Sequence, residues 1–426
     1  MTGLRRRTLT GIGDQALVAV TTAGTGLLGT AVLTRPAAAV MLYTIQIMVF
    51  VQGVGRAFVG DVMLAHVPRF TDEAQRRRQF GNAHATTVAL SLLAAAVLAA
   101  GWLLLPREYV GDLIWGVPFL PSILLQDLAR YTYQTQGRQP QALVIDLCWV
   151  SVQVLCIALV LGTGHVAGGP LVACWGLGAT VGAVVFYART RLNPLAGRPL
   201  HWLRDTRHLL GWFTLTGLLA QLTTLLIATL VQGILARAAY SGLRLVQTLV
   251  LQPAQSLAMA LNGLLVPRAA ELAGAGDLAG LRRQTRTVLA VNAAIGVCIM
   301  AVAIPLASPV LDRYHGGDYA GVAVIAVPVS VQAWLYLAQI PFTVAIRGMH
   351  RARLLFAQYA IFSAATLAGL VTGAVSGGLT GAAWGLMCGA GAGTAVQVAM
   401  YLGAARRLAG QGLAPDRTGA VEEPVG

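Results

Sequence analysis

The stretch 243–268 reads LRLVQTLVLQPAQSLAMALNGLLVPR. It is apolar over a length that can cross a bilayer, for which about 20 residues suffice. Its polar residues are ordered. Arg244, Thr248, Gln252, Gln255, Met259 and Asn262 follow at every third or fourth position, so a helix places them on one face. The stretch predicts a membrane helix with a polar stripe. It closes on Val266-Pro267-Arg268, and the same tripeptide stands at Val67-Pro68-Arg69. Each copy reads as the end of an apolar span and the start of an arginine-rich loop. Arg76-Arg77-Arg78 follows the first, and Arg282-Arg283 the second. The echo predicts that one bundle of helices is used twice.

Composition supports the reading outward from this stretch. Of 426 residues, 56% are hydrophobic and only 11% charged, against about 25% charged in soluble domains. Period-two alternation is absent and open sheets cannot span lipid, so the spans are helices. Twelve are expected, near residues 13–34, 37–60, 83–105, 113–131, 142–161, 170–188, 209–235, 243–266, 287–310, 320–341, 354–374 and 380–404. Pro36, Pro106, Pro140, Gly168-Gly169-Pro170 and Gly377-Gly378 punctuate them. With the N-terminus inside, the runs Arg5–Arg7, Arg76–Arg78, Arg282-Arg283 and Arg406-Arg407 all fall on the cytoplasmic side. The outer side keeps Arg35, Arg107, Arg237, Arg244 and Arg313. A wrong number of spans would scramble that asymmetry. The expected fold is all-α and polytopic, with 12 transmembrane helices in two parallel six-helix repeats around a central cavity. An even number of spans per repeat returns the chain to the same side, which makes the repeats parallel.

The expected organisation is an N-terminal bundle over 1–190, a cytoplasmic linker over 191–208 and a C-terminal bundle over 209–410. A disordered, polar tail over 411–426 follows. Both termini are expected in the cytoplasm, and the membrane is expected to be the cell inner (cytoplasmic) membrane. The opening arginines, the apolar stretch after them and Ala37-Ala38-Ala39 imitate a signal peptide. Asp14 and Gln15 interrupt the apolar stretch and a second span follows at once, so an uncleaved first helix is expected.

Several classes of chemistry are excluded. All 30 basic residues are arginine, so there is no Walker A lysine, no Schiff base and no catalytic lysine. The histidines form no HExxH and no serine elbow is present. Cys148, Cys156, Cys174, Cys298 and Cys388 lie in apolar spans without a CxxC, as buried small hydrophobes do. The net charge of +14 follows from topology rather than from nucleic-acid binding. No enzyme, cofactor, metal or nucleic-acid partner is expected.

Polar residues in lipid are costly, and their placement carries the functional reading. Span seven has Thr214, Gly217, Gln221, Thr224 and Gln232; span ten has Gln332, Tyr336, Gln339 and Thr343. Interhelical hydrogen bonding explains any one of them. Continuous stripes on several spans are better explained by a shared wet cavity. Arg56, inside span two, either snorkels to the nearby surface or serves as a cavity cation. Arg35, Arg237 and Arg244 near outer span ends are interface anchors or a ring at the cavity mouth. Guanidinium suits phosphate because it offers a planar pair of donors. Asp14 is open to three roles: helix cap, partner of the first arginines, or proton or sodium site. Asp127 and Arg130 are placed to pair one turn apart. Asp146 is open to coupling or to an intra-bundle ion pair.

Twelve spans in two parallel halves resemble the multidrug/oligosaccharidyl-lipid/polysaccharide (MOP) exporter superfamily. Gly13-Asp14-Gln15-Ala16-Leu17, the Thr-rich first span and Leu33-Thr34-Arg35 resemble its polysaccharide-exporter branch. Pro36-Ala37-Ala38-Ala39 stands where that branch has a Gly- and aromatic-containing turn, and the two further spans usual in lipid-II flippases are lacking. The resemblance implies a flippase for a lipid-linked oligosaccharide or polysaccharide precursor, with membrane lipids as partners and Na+ or H+ as a coupling ion. It implies cationic residues on spans one, two and eight, which here carry Arg35, Arg56 and Arg244. The expected substrate-binding set is Arg35, Arg56, Arg244, Thr248, Gln252, Gln255, Asn262 and Gln221, with Asp14 and Asp146 as coupling candidates. The alternatives are a cation-coupled drug or metabolite antiporter of the same fold and an inactive scaffold in envelope assembly.

Overall fold

The computed structural model describes residues 23–207, 211–349 and 351–411. Among these the regular structure is helical throughout, without a strand. The helices are α1 (Ala23–Val32), α2 (Arg35–Arg69), α3 (Glu73–Leu104), α4 (Leu120–Thr135), α5 (Gln139–Gly162) and α6 (Gly168–Thr190) in the first half. The second half has α7 (Trp212–Leu235), α8 (237–274), α9 (Leu278–Leu311), α10 (Ala326–Gly348), α11 (352–376) and α12 (379–411). The apolar run from 353 to 406 is two helices because Gly377 and Gly378 leave helical geometry, Gly378 with φ 59°. Leu92, Leu93, Val97, Leu155, Leu159, Val297 and Val302 lie exposed on the outer faces of α3, α5 and α9, as in a multi-pass membrane protein whose rim meets acyl chains.

The duplication is visible in the helix caps. Asp72 accepts from the backbone N–H groups of Ala74 and Gln75 at 3.2 Å to start α3. Asp277 accepts from Gly280 N–H at 2.7 Å to start α9. A carboxylate at this position satisfies orphan donors and suits the helix dipole. Both helices therefore begin well before the apolar boundaries near 83 and 287. They carry their arginine runs out of the bilayer as helix.

The Val-Pro-Arg copies differ. The first is a 3-10 turn that ends α2, with Phe70 extended so that Asp72 can cap α3. The second lies inside α8, which continues to Gly274. The expected loop after Arg268 is thus corrected to two further helical turns. The cause is local: Ala269-Ala270-Glu271-Leu272-Ala273 are strong helix formers, and Arg268 pairs with Glu271 at 2.9 Å one turn on.

The linker is also ordered where it is described. Pro199–Thr206 forms a helix against the start of α3. Trp202 is fully buried with Val59, Met63, Val67 and Phe80. Arg198 N–H donates to Asn82 Oδ1 at 2.9 Å.

Small residues let α11 and α12 touch backbone to backbone. A Cβ at Gly385 would collide with the Gly369 carbonyl, and one at Gly373 with that of Gly381. Gly385→Ala is expected to cost about 1–3 kcal/mol, the usual penalty of overpacking. A fall in the midpoint of denaturation in mixed micelles checks it, with Gly403→Ala, which meets open space, as the silent control.

Candidate transport cavity and its closed end

A cavity of about 760 Å³ lies between the halves. Asp61 and Val62 of α2 form the first half's wall. Thr214, Gly217, Tyr336, Gln339, Thr343 and Arg347 stand on the other, with Ala258 and Val266 of α8. Thr214 and Arg347 sit at helix ends, so the cavity reaches the arginine-rich end of the bundle. Its amides and hydroxyls are held across helices. Gln339 donates to Thr394 Oγ1 at 2.7 Å, and Gln397 donates to Thr343 Oγ1 at 2.6 Å. Tyr336 is hydrogen-bonded to Tyr359 and Gln255. The same side chains therefore both glue helices and present polar groups to the cavity.

Charge is sorted between the cavity and the first bundle. Arg56 grips Asp127 with two parallel hydrogen bonds of 2.7 Å, from Nε to Oδ2 and from Nη2 to Oδ1. Arg130 lies 3.6 Å from Asp127 and 2.9 Å from Asp146, and Gln126 donates to Asp146 at 2.6 Å. The chain of two arginines and two aspartates crosses from the half-buried Arg56 of α2 through α4 to the buried Asp146 of α5 and neutralises itself. Asp61, which lines the cavity, accepts from the Tyr131 hydroxyl and lies within the field of Arg347 on α10.

Two π turns set this geometry. Arg56–Gly60 is one, and it carries Arg56 and Asp61 on either side of a widened turn. Gly60 lies flat on the Tyr131 ring, where a Cβ would stand 3.1 Å from three ring carbons. Gln247–Leu251 is the other, in α8, where Gln252 N–H reaches back to the Gln247 carbonyl. Pro253 follows; its missing N–H and its ring crowd the preceding turn, and a π turn absorbs the misfit.

At the opposite, arginine-poor end the halves are closed on each other. Arg35 donates to the carbonyls of Asp318 at 3.2 Å and Ala238 at 3.1 Å, and its guanidinium lies 5.2 Å from the Tyr319 ring centre. Arg237 donates to the Glu108 carbonyl at 2.7 Å and to its carboxylate at 3.3 Å. Tyr43 bonds Thr229 at 2.9 Å and packs edge-on to Tyr240. Thr30 bonds Tyr314, which also donates to the Leu27 carbonyl. Every one of these contacts joins one half to the other.

The expected site residues are thus dispersed. Arg35 sits in the closed end. Arg56 is turned into the first bundle, against Asp127, and is absent from the cavity wall. Arg244 is half-buried in the part of α8 packed on α2. Thr248 is buried and Gln252 half-buried beside the π turn. Gln255 meets the cavity through Tyr336, and Gln221 packs on Gly53 of α2. Asp146 is fully buried in its ion pair with Arg130. Asp14 and the side chain of Asn262 lie outside the described residues. Among the described residues, the stripes of spans seven and ten supply more of the wall than that of span eight. Asp61, Tyr131 and Arg347 escaped the sequence reading. The one signal for Asp61 is its spacing from Arg56, five residues on, which shares a face only across a π turn.

No family model matches the chain, and no curated relative does. Solved structures do. The chain is similar to the inward-facing conformation of a multidrug resistance MATE family transporter of the MOP superfamily, with TM-score 0.74 and 11% identity over 95% of this chain and 96% of that one. It is similar to the lipid II flippase MurJ in its inward closed conformation, with TM-score 0.70 and 11% identity over 95% of this chain and 90% of that one. It is also similar to the Vibrio cholerae MATE transporter VcmN in the bent form, with TM-score 0.64 and 16% identity over 96% and 99%. The chain shares the fold of these structures, with two six-helix halves around a cavity.

Proposed function

We propose that the protein is an alternating-access flippase of the cytoplasmic membrane that moves a lipid-linked oligosaccharide or polysaccharide precursor. The observation that carries this reading is a cavity between two repeats, reaching the arginine-rich end and sealed by cross-half contacts at the other. By the charge asymmetry of the loops, the arginine-rich end faces the cytoplasm. The halves, 1–190 and 209–410, rock about the cavity. The hydroxyls and amides of Thr214, Tyr336, Gln339 and Thr343 suit sugar hydroxyls. Arg347 is the cation placed to hold a diphosphate. Arg56 acts indirectly, by keeping α2 on α4 so that Asp61 faces the cavity.

Arg347→Gln is expected to slow translocation of a fluorescent polyprenyl-diphosphate glycan in vesicles at least tenfold, with the fold intact. Full activity in that variant removes the phosphate from Arg347. The second reading, a cation-coupled antiporter, is favoured by one observation: Asp61 is a carboxylate on the cavity wall. In that case Asp61→Asn abolishes proton- or sodium-driven efflux of a cationic dye, and glycan translocation is absent from the wild type.

A further inference from the structure

A second cavity, of about 620 Å³, lies wholly within the first half at its arginine-rich end. Arg76 and Arg77 of α3, Arg138 between α4 and α5, and Arg189 of α6 line it, with Glu73 as the only carboxylate among its described lining residues. Among the described residues none of these four arginines is ion-paired. The floor is polar and fixed. Thr132 is bonded to buried His84 at 3.0 Å, and the buried Tyr133 packs edge-on to Phe186 at 5.1 Å.

At the seam of α8, α9 and α10 in the other half, which carries Arg282-Arg283, the packing is tight. There α8 continues as helix past its Val-Pro-Arg. Leu265 and Ala269 close against Leu281, Thr285 and Ala345, leaving no room for a water molecule. Gln284 donates to the Leu265 carbonyl at 3.3 Å across the same seam. In the first half, α2 stops at its Val-Pro-Arg, and Pro68 forms part of the cavity wall. The first half ends α2 beside this cavity, whereas the second half continues α8 as helix past the same tripeptide.

We infer that this cavity is a binding site for a phosphate group, separate from the central cavity. Four exposed guanidinium groups without an ion pair among the described residues surround one volume, with Arg77 also donating to the Arg191 carbonyl at 3.4 Å, and their summed positive potential attracts an anion. Planar forks match phosphate oxygens, and the exposed Gln136 side-chain amide adds a neutral donor. The phosphate belongs either to an anionic lipid headgroup at the membrane surface or to a free phosphate ion from the adjoining solution.

The test uses the full-length protein purified into nanodiscs of zwitterionic lipid. Phosphatidylglycerol is titrated in one arm and inorganic pyrophosphate in the other. The wild type is expected to bind at least one of them. Arg138→Gln/Arg189→Gln is expected to weaken that binding at least tenfold, and the control Arg282→Gln/Arg283→Gln to change it less than twofold. Response to phosphatidylglycerol alone assigns a lipid headgroup, and response to pyrophosphate assigns a free phosphate. Should the first double variant fail to fold, Arg76→Gln/Arg77→Gln takes its place. Binding of neither probe, or equal weakening by the two halves' variants, overturns the site in favour of general attraction to an arginine-rich surface.

Discussion

Asp127→Ala is expected to destabilise the protein by about 1.5–3 kcal/mol, because it removes two charge-assisted hydrogen bonds and leaves Arg56, whose side chain is 28% exposed, without its counter-charge. Asp127 is the acceptor for both prongs of Arg56 and lies 3.6 Å from Arg130. Its own side chain is 5% exposed and that of Arg130 is 4% exposed. Loss of the carboxylate therefore removes the link between α2 and α4 and leaves Asp146 to balance Arg130 alone. Removing the stranded cation as well, in Asp127→Ala/Arg56→Met, recovers part of the loss, since an apolar pair of similar bulk asks for no counter-ion. The midpoint of denaturation in mixed micelles reads both. Equal midpoints for the single and double variants would mean that Arg56 escapes to solvent once freed.

The second large effect concerns which end is open. Arg35→Ala removes two charge-assisted hydrogen bonds and the guanidinium–ring contact that tie α2 to 238 and to 318–319. These groups are partly exposed, so we expect a loss of about 2 kcal/mol from the closed end, roughly thirtyfold in the ratio of the two states. Thr343→Cys in a cysteine-free background reports it. Maleimide that cannot cross the membrane should label this cavity position faster from the arginine-poor side in the Arg35→Ala protein. Arg35→Lys should restore little, because an ammonium cannot span the two carbonyls as a fork does. Unchanged labelling from that side would make the contacts incidental to closure.

Much of the architecture was legible in the chain because the bilayer simplifies the problem. Lipid demands helices of a set length and sorts arginines to one side, so the order of the spans and the twofold repeat follow from 1-D information. The stripes of spans seven and ten were legible for the same reason: Thr214, Gly217, Gln339 and Thr343 line the cavity. Partner identity was not. Arg56 finds Asp127 on a helix that sequence distance does not associate with it. Asp61 shares the site with Arg56 only through a π turn, which ordinary helical periodicity misplaces. The second Val-Pro-Arg looked like an exit because proline and arginine mark helix ends on average, yet the alanines after it outweigh them.

The helix Pro199–Thr206, stapled to α3 by Trp202 and Asn82, bears on how far the machine can move. With that helix anchored, the covalent leash between the halves runs only from Arg207 to Trp212. Five peptide steps reach at most about 18 Å. Any stroke that separates the halves at this corner is limited by that leash, whatever cargo is aboard. Lengthening it would loosen the stroke without touching a single cavity residue.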